Sequence, residues 1–349
     1  MISYRLIFLI LLMLSNGVLA ADEIRMPENA PRPLKVGVAM FVNNITKVNE
    51  QASTIEATVN VQWRWKDKGL AFNPQETGMN RMEFNRDSAA KKLTEIWTPA
   101  LTLANATIQH KEQGLFIYAD GTVVLISRVK GIFDVKFRLD AFPFETQSLA
   151  VRILSERYNT NQIELTHNQF DINDSGLSQH VQLSGWQAQQ LNFTTLSTQG
   201  WDGQYYPETQ AHIVLARTPY AHLLLILMPF FLIMLIPTIG SFHTKMDLDK
   251  RLGLWSGSTL SLIALSFTYS TRYPALTPDS IITQLIVIGV FYQIVMIFLT
   301  ITLLNPKYTE QWIPNKIITS TLIAYLHWAM PLGFLGLIIS RVMLAALIV

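Results

Sequence analysis

Phe142-Pro143-Phe144-Glu145-Thr146-Gln147 stands at the boundary between two unlike halves of a 349-residue chain. An aromatic-Pro-aromatic turn is a stiff, partly apolar knuckle, because proline fixes its own φ and restricts the residue before it. The carboxylate of Glu145 lets the same knuckle pair with a cation. Alone, the tripeptide marks only a packed turn. Here it ends a β-rich, water-compatible half and precedes four closely spaced apolar segments. In that order it is expected to press a soluble domain onto a membrane domain.

The length fits two domains rather than one ordinary core. Half of the residues are apolar and 15% are charged, against roughly 25% charged in a typical soluble protein, and that deficit points to a membrane protein. A formal net charge of +2 gives no basis for nucleic-acid binding. The chain has no cysteine, so neither a disulfide nor a thiolate metal site can hold it together. Residues 1–20 read as a secretory signal: Arg5 gives the positive start, Leu6 to Leu14 the short apolar run, and Val18-Leu19-Ala20 the cleavage site. The alternative is an uncleaved anchor, for which that run is short. The mature chain is expected to begin near Ala21, with its first domain outside the cytoplasm.

Residues 21–217 carry the pattern of an antiparallel, immunoglobulin-like β-sandwich. The runs Lys35 to Val42 and Thr54 to Val61 are rich in β-branched residues and partly alternate. Asp120-Gly121 is a hairpin turn between Ile117-Tyr118 and Val123-Val124. Residues 218–349 read as a four-helix transmembrane domain, with spans near 220–240, 252–271, 281–304 and 317–340. The first contains no Lys, Arg, Asp or Glu, and the fourth has His327 as its only histidine. The loop after the first span carries Lys245, Lys250 and Arg251, whereas the loop after the second carries only Arg272. The positive-inside rule places the former in the cytoplasm, which agrees with an exported N-terminal domain.

These residues together resemble the pentameric ligand-gated ion channels, the Cys-loop receptor superfamily, and in particular its bacterial members. Trp65-Lys66-Asp67 with Leu70-Ala71-Phe72-Asn73-Pro74 looks like that family's strand-2 signature. Ile96-Trp97-Thr98-Pro99 resembles its Trp-x-Pro motif, with Ala100 where an Asp is usual. Phe142 to Leu149 resembles the signature loop, and Gly185-Trp186 and Pro229 also match. The bracketing cysteines of that loop would fall at Val135 and Leu149, so the bridge is absent, and Glu145 replaces the usual Asp. The short linker from about Asn305 to Asn315 favours a bacterial origin. The resemblance implies a homopentamer in a bacterial inner membrane, its β-sandwiches in the periplasm or outside. It also implies agonist binding between neighbouring sandwiches and a pore lined by the second span.

Helical geometry gives that span a stripe of its own. At 100° per residue, Asp249, Gly253, Gly257, Leu260, Ala264, Phe267 and Thr271 fall within an arc of about 80°. A carboxylate at the cytoplasmic end, small residues above it and apolar Leu260 and Phe267 beyond suit a pore, with a charged ring that selects ions and an apolar ring that dewets. The alternatives stay open. Gly253-x-x-x-Gly257 is also a helix-packing motif, Asp249 also suits a helix N-terminus, and Leu260 also suits a lipid- or helix-facing position.

By the same resemblance, Arg217 is expected to bridge Glu50 and Glu145 at the joint of the two domains, with Phe142, Pro143, Phe144 and Tyr273-Pro274 packed nearby. The bland reading of Arg217 is a snorkelling residue at the membrane surface. Trp201, Tyr205 and Tyr206 lie on the hairpin that corresponds to the capping loop of the family's pocket, with Glu156 and Tyr158 expected to face them. Aromatic walls hold ammonium groups by cation–π attraction, so the agonist expected is a small molecule, with a primary amine as the guess. The box is incomplete, however, with Ala104 and Asn60 at two positions where aromatics are usual, and these aromatics would equally pack the hairpin itself. Nothing marks an enzyme, a cofactor or a metal site: there is no His-Glu-x-x-His, Gly-rich phosphate loop or Gly-x-Ser-x-Gly. The reading is therefore a cation-selective channel subunit, with membrane lipids, a small agonist and permeant inorganic cations as partners. The competing readings are a non-conducting sensor of the same fold and, if the pore register is shifted, an anion channel.

Overall fold

A computed structural model describes residues 25–27, 30–181, 183–243, 246–273, 278, 280–305 and 315–348. The signal segment 1–20, Pro274 and most of the linker between Asn305 and Asn315 lie outside the described residues.

Among the described residues, eleven strands form two facing sheets: β1 (Leu34–Asn49), β2 (Thr54–Lys66), β3 (Arg81–Asn85), β4 (Leu101–Leu103), β5 (Ala106–Tyr118), β6 (Thr122–Asp134), β7 (Thr146–Ser155), β8 (Ile163–Thr166), β9 (Gly176–Leu177), β10 (Trp186–Gln199) and β11 (Tyr205–Arg217). One sheet runs β3-β5-β6-β2-β1-β8, with β9 also on β1, and the other runs β10-β11-β7-β4. Alternation explains the strands. In β2, Ile55, Ala57, Val59, Val61, Trp63 and Trp65 are all buried, while the residues between them are not; this is the period-2 signature of a sheet with one face on a core. Leu149, Val151 and Ile153 of β7 and Ala211, Ile213 and Leu215 of β11 meet them from the other sheet. Val135 and Leu149, where the resemblance would place a disulfide, are packed into this same core.

The sandwich departs from the purely antiparallel expectation. β1 pairs in parallel with β8, Leu34 opposite Ile163, and with β9, Phe41 opposite Gly176. A parallel pair needs a crossover connection rather than a tight turn, so no local sequence signal announces it. The Asp120-Gly121 hairpin does join β5 to β6. Gly121 has φ 82°, and a Cβ there would collide with the Asp67 carbonyl oxygen, so the turn requires glycine.

Four long helices follow: α1 (Pro219–Phe242), α2 (Leu248–Arg272), α3 (Ile281–Leu304) and α4 (Lys316–Ile348). The first, second and fourth exceed the expected spans at one or both ends, α4 by eight residues at its C-terminal end. Ile281–Leu303 and Ile317–Leu344 are long and apolar enough to cross a membrane, while α1 contributes a shorter apolar stretch, Leu224–Gly240. α2 is too rich in Ser, Thr and Gly to meet that criterion. Phe230 and Met234 of α1, Trp255 and Leu262 of α2, Tyr292 and Met296 of α3 and Ile338 of α4 make the core of the bundle.

Candidate functional site at the joint, the second helix and the hairpin

The joint is built by strand register. β11 ends on Arg217, which lies opposite Trp186 of β10, and Ala216 lies opposite Thr146, the first residue of β7 after the knuckle. This brings Arg217 against Glu145, and its backbone N–H donates to the Glu145 carbonyl at 3.2 Å. The Arg217 Nε donates to Glu145 Oε1 at 2.7 Å, and its Nη1 lies 2.9 Å from Glu50 Oε1 in the β1–β2 turn. The guanidinium is covered by two aromatic faces, Trp186 at 4.1 Å and Phe142 at 4.6 Å. Only 1% of the Arg217 side chain is exposed, so the cation sits in a low-dielectric box with two carboxylates. Burial pushes the Glu145 carboxyl above the usual carboxylate range, against the opposing pull of Arg217.

The knuckle reaches from this box into the helices. The Phe142 ring stands 4.8 Å from Tyr273 at the end of α2, in an apolar cluster with Leu139, Ile226, Tyr269 and Ile282. Pro143 and Phe144 line a small apolar cavity together with Leu227, Leu285 and Val342, among others. The knuckle therefore touches α1, α2 and α3. Trp186 was visible in the sequence only as a motif match; its stacking on Arg217 depends on a cross-strand pair 31 residues apart and has no local signal.

In α2, Trp255, Ser258, Leu262 and Tyr269 are buried against the neighbouring helices. The opposite face carries Asp249, Gly253, Gly257, Leu260, Ala264, Phe267 and Thr271, all of them exposed. A Cβ added to Gly253 or Gly257 would meet nothing within 4 Å, so within one chain neither glycine serves a close helix contact. Arg251 turns away from this stripe and is buried, its Nη2 donating to the His243 carbonyl at 2.7 Å and its Nε to the Met246 carbonyl at 3.1 Å. Lys250 pairs with Asp247 at 3.1 Å on the exposed end.

The hairpin of β10 and β11 holds the aromatic group. Trp201 is fully exposed at its tip and Tyr205 is exposed beside it, whereas the Tyr206 hydroxyl donates to Asp202 Oδ2 at 2.9 Å. Glu156 accepts from Thr102 Oγ1 at 3.0 Å. Tyr158 is engaged elsewhere: its hydroxyl accepts from Trp97 Nε1 at 2.8 Å and the two rings are 5.4 Å apart. The backbone links the two loops, Thr160 N donating to the Tyr205 carbonyl at 2.9 Å, yet the five side chains do not close into one box within a single chain. Near its tip the hairpin is held by Glu208, missed in the sequence. It is wholly buried and accepts from Arg152 Nε at 2.7 Å and Nη2 at 2.8 Å, from Gln210, and from Thr198. The hydrogen bonds from Arg152 hold its pKa down at about 2.

The profile of the neurotransmitter-gated ion-channel ligand binding domain matches residues 18–219. A proton-gated ion channel of Gloeobacter violaceus is 21% identical over 282 residues, covering 79% of this chain and 74% of that protein. A neuronal acetylcholine receptor subunit alpha-3 of Carassius auratus is 24% identical over 292 residues, 80% of this chain and 53% of that subunit. An acetylcholine-gated chloride channel subunit of Caenorhabditis elegans is 27% identical over 143 residues, 39% of this chain and 30% of its own length. With the ligand-binding-domain profile spanning more than half of the chain and the helices following it, this chain belongs to the Cys-loop superfamily of pentameric ligand-gated ion channels and is a channel subunit.

Proposed function

We propose that five copies of this chain assemble around α2 into a cation-selective channel of a bacterial inner membrane, opened by a small ligand bound between neighbouring β-sandwiches. The observation that carries this reading is the sidedness of α2. Its polar and aromatic anchors face the other helices of the same chain, and the stripe from Asp249 to Thr271 is left exposed. In a ring of five, Asp249 side chains at the cytoplasmic end concentrate cations and repel anions. Leu260, three turns above, forms the apolar constriction whose dewetting closes the pore. The clamp on Arg251 supports this register, because it commits the strongest nearby cation to the linker carbonyls.

Ligand binding is read at the hairpin. Trp201 and Tyr205 offer open aromatic faces with Glu156 on the adjacent loop, and acetylcholine, named for two of the relatives, is an ammonium compound. A primary amine held by cation–π attraction fits this surface, with the neighbouring subunit completing the box. Arg217, Glu50, Glu145 and the Phe142-Pro143-Phe144 knuckle carry the resulting motion to α2 and Tyr273. Macroscopic currents from oocytes expressing the chain, screened with primary amines, pH steps and divalent ions, test the reading. An amine-evoked current that Leu260→Ser converts to a standing leak supports it. Surface-expressed protein with no current in either form contradicts it and favours a non-conducting sensor.

A further inference from the structure

Pro237 lies inside α1. Having no N–H, it cannot donate to the carbonyl four residues earlier, that of Ile233. A carbonyl without a partner in the apolar interior of a membrane protein costs several kcal/mol, so something must answer it. The answer comes from α2: Ser258 Oγ donates to the Ile233 carbonyl at 2.5 Å. Having donated its one hydrogen, that hydroxyl can only accept. Gln293 Nε2 of α3 donates to it at 2.7 Å and also lies 3.1 Å from the Met234 sulfur. Ser258 is buried and Gln293 fully so. An uncharged but strongly polar glutamine buried in the middle of a predominantly apolar span is itself a mark of such a role.

We propose that Gln293 and Ser258 are positioning residues for channel gating, clasping α2 to the carbonyl that Pro237 leaves without its helical donor. The clasp sets the resting position of the pore wall. It rests on the reading of α2 as that wall. Ser258 is two residues from Leu260, about 200° around the helix, so the clasp grips the back of α2 at the level of the constriction. Rotation or tilt of α2 must stretch both bonds, and they act as one unit because Ser258 belongs to both.

The test uses the full chain, which has no cysteine of its own, reconstituted in liposomes with Ala264→Cys as the reporter. The rate of reaction with a charged, membrane-impermeant methanethiosulfonate is followed in the resting protein. Ser258→Ala and Gln293→Leu should each change that rate by about threefold to twentyfold, the range expected for interhelical hydrogen bonds in membranes. Together they should do no more than either alone, and Ser258→Thr, which keeps the hydroxyl, should restore the original rate. In a Pro237→Ala background the helix supplies its own donor to Ile233, and Ser258→Ala should then change the rate less than twofold. An equal effect of Ser258→Ala in both backgrounds, or no effect in either, overturns the proposal. Absence of any reaction in every variant would remove the pore reading instead. The bond is then judged by thermal unfolding of the same proteins, where a Ser258→Ala penalty that persists with Pro237→Ala overturns the clasp.

Discussion

In β2 the side chains of Ile55, Val59, Val61 and Trp65 vanish into a core completed by the second sheet of the same chain. In α2, Leu260 and Phe267 each stand 69% exposed. Both stretches are read from periodicity, one of 2 and one of 3.6 residues, yet only the first finds its partner within one subunit. The difference teaches where each half gets its stability. The sandwich fills its core from its own two sheets, whereas the helical half leaves large apolar side chains exposed in the single chain, and on the function proposed above these face neighbouring subunits, lipid or pore water. At the seam between them stands the Arg217 box, whose aromatic cover Phe142 also packs on Tyr273 at the end of α2.

The sharpest way to break this contrast is to break the box. Arg217→Gln leaves buried Glu145 and half-buried Glu50 without their shared cation, a change on the order of 3–5 kcal/mol. The variant should reach the surface, bind ligand and open poorly; dose–response curves indistinguishable from the unmodified chain would show that the two halves communicate elsewhere. A core truncation sharpens the contrast next. Ile153→Ala in the sandwich should cost about 2–5 kcal/mol, seen as a lowered melting temperature. Leu260→Ala should leave melting nearly unchanged, within about 0.5 kcal/mol, while shifting gating. Equal melting losses at both positions would mean that Leu260 is a packed residue.

Much of this contrast was legible in the sequence because it is local. The knuckle, the Asp120-Gly121 turn, the apolar spans and the α2 stripe each declare themselves within a few residues. What could not be read depends on distant partners. The parallel β1–β8 pair joins segments more than 110 residues apart, and the Tyr158–Trp97 hydrogen bond diverts an aromatic expected in the ligand wall. Arg251 follows Asp249 by about 200° around the helix, which takes it off the stripe, but its carbonyl partners in the linker leave no mark in the sequence. Glu208 looked like any other acidic residue on a strand.

Glu208 offers a smaller, pH-dependent test. Its folded pKa of about 2 lies below the ordinary value of 4.5, so its contribution to stability is full above pH about 4.5. That contribution is lost as pH falls toward 2. Thermal unfolding of the chain should weaken across that window, and Glu208→Gln should flatten this part of the profile. An unchanged acid limb in Glu208→Gln would show that the carboxylate does not hold the β10–β11 hairpin.

The direction in which α2 faces the pore is tested most directly by ion selectivity. Lys250 and Arg251 follow Asp249 by about 100° and 200°, so a register error of one residue would reverse the sign of charge on the lumen. Reversal potentials measured in asymmetric NaCl should move toward the sodium equilibrium potential in the unmodified channel, and Asp249→Ala should lower cation conductance. A reversal potential at the chloride equilibrium value would contradict the account.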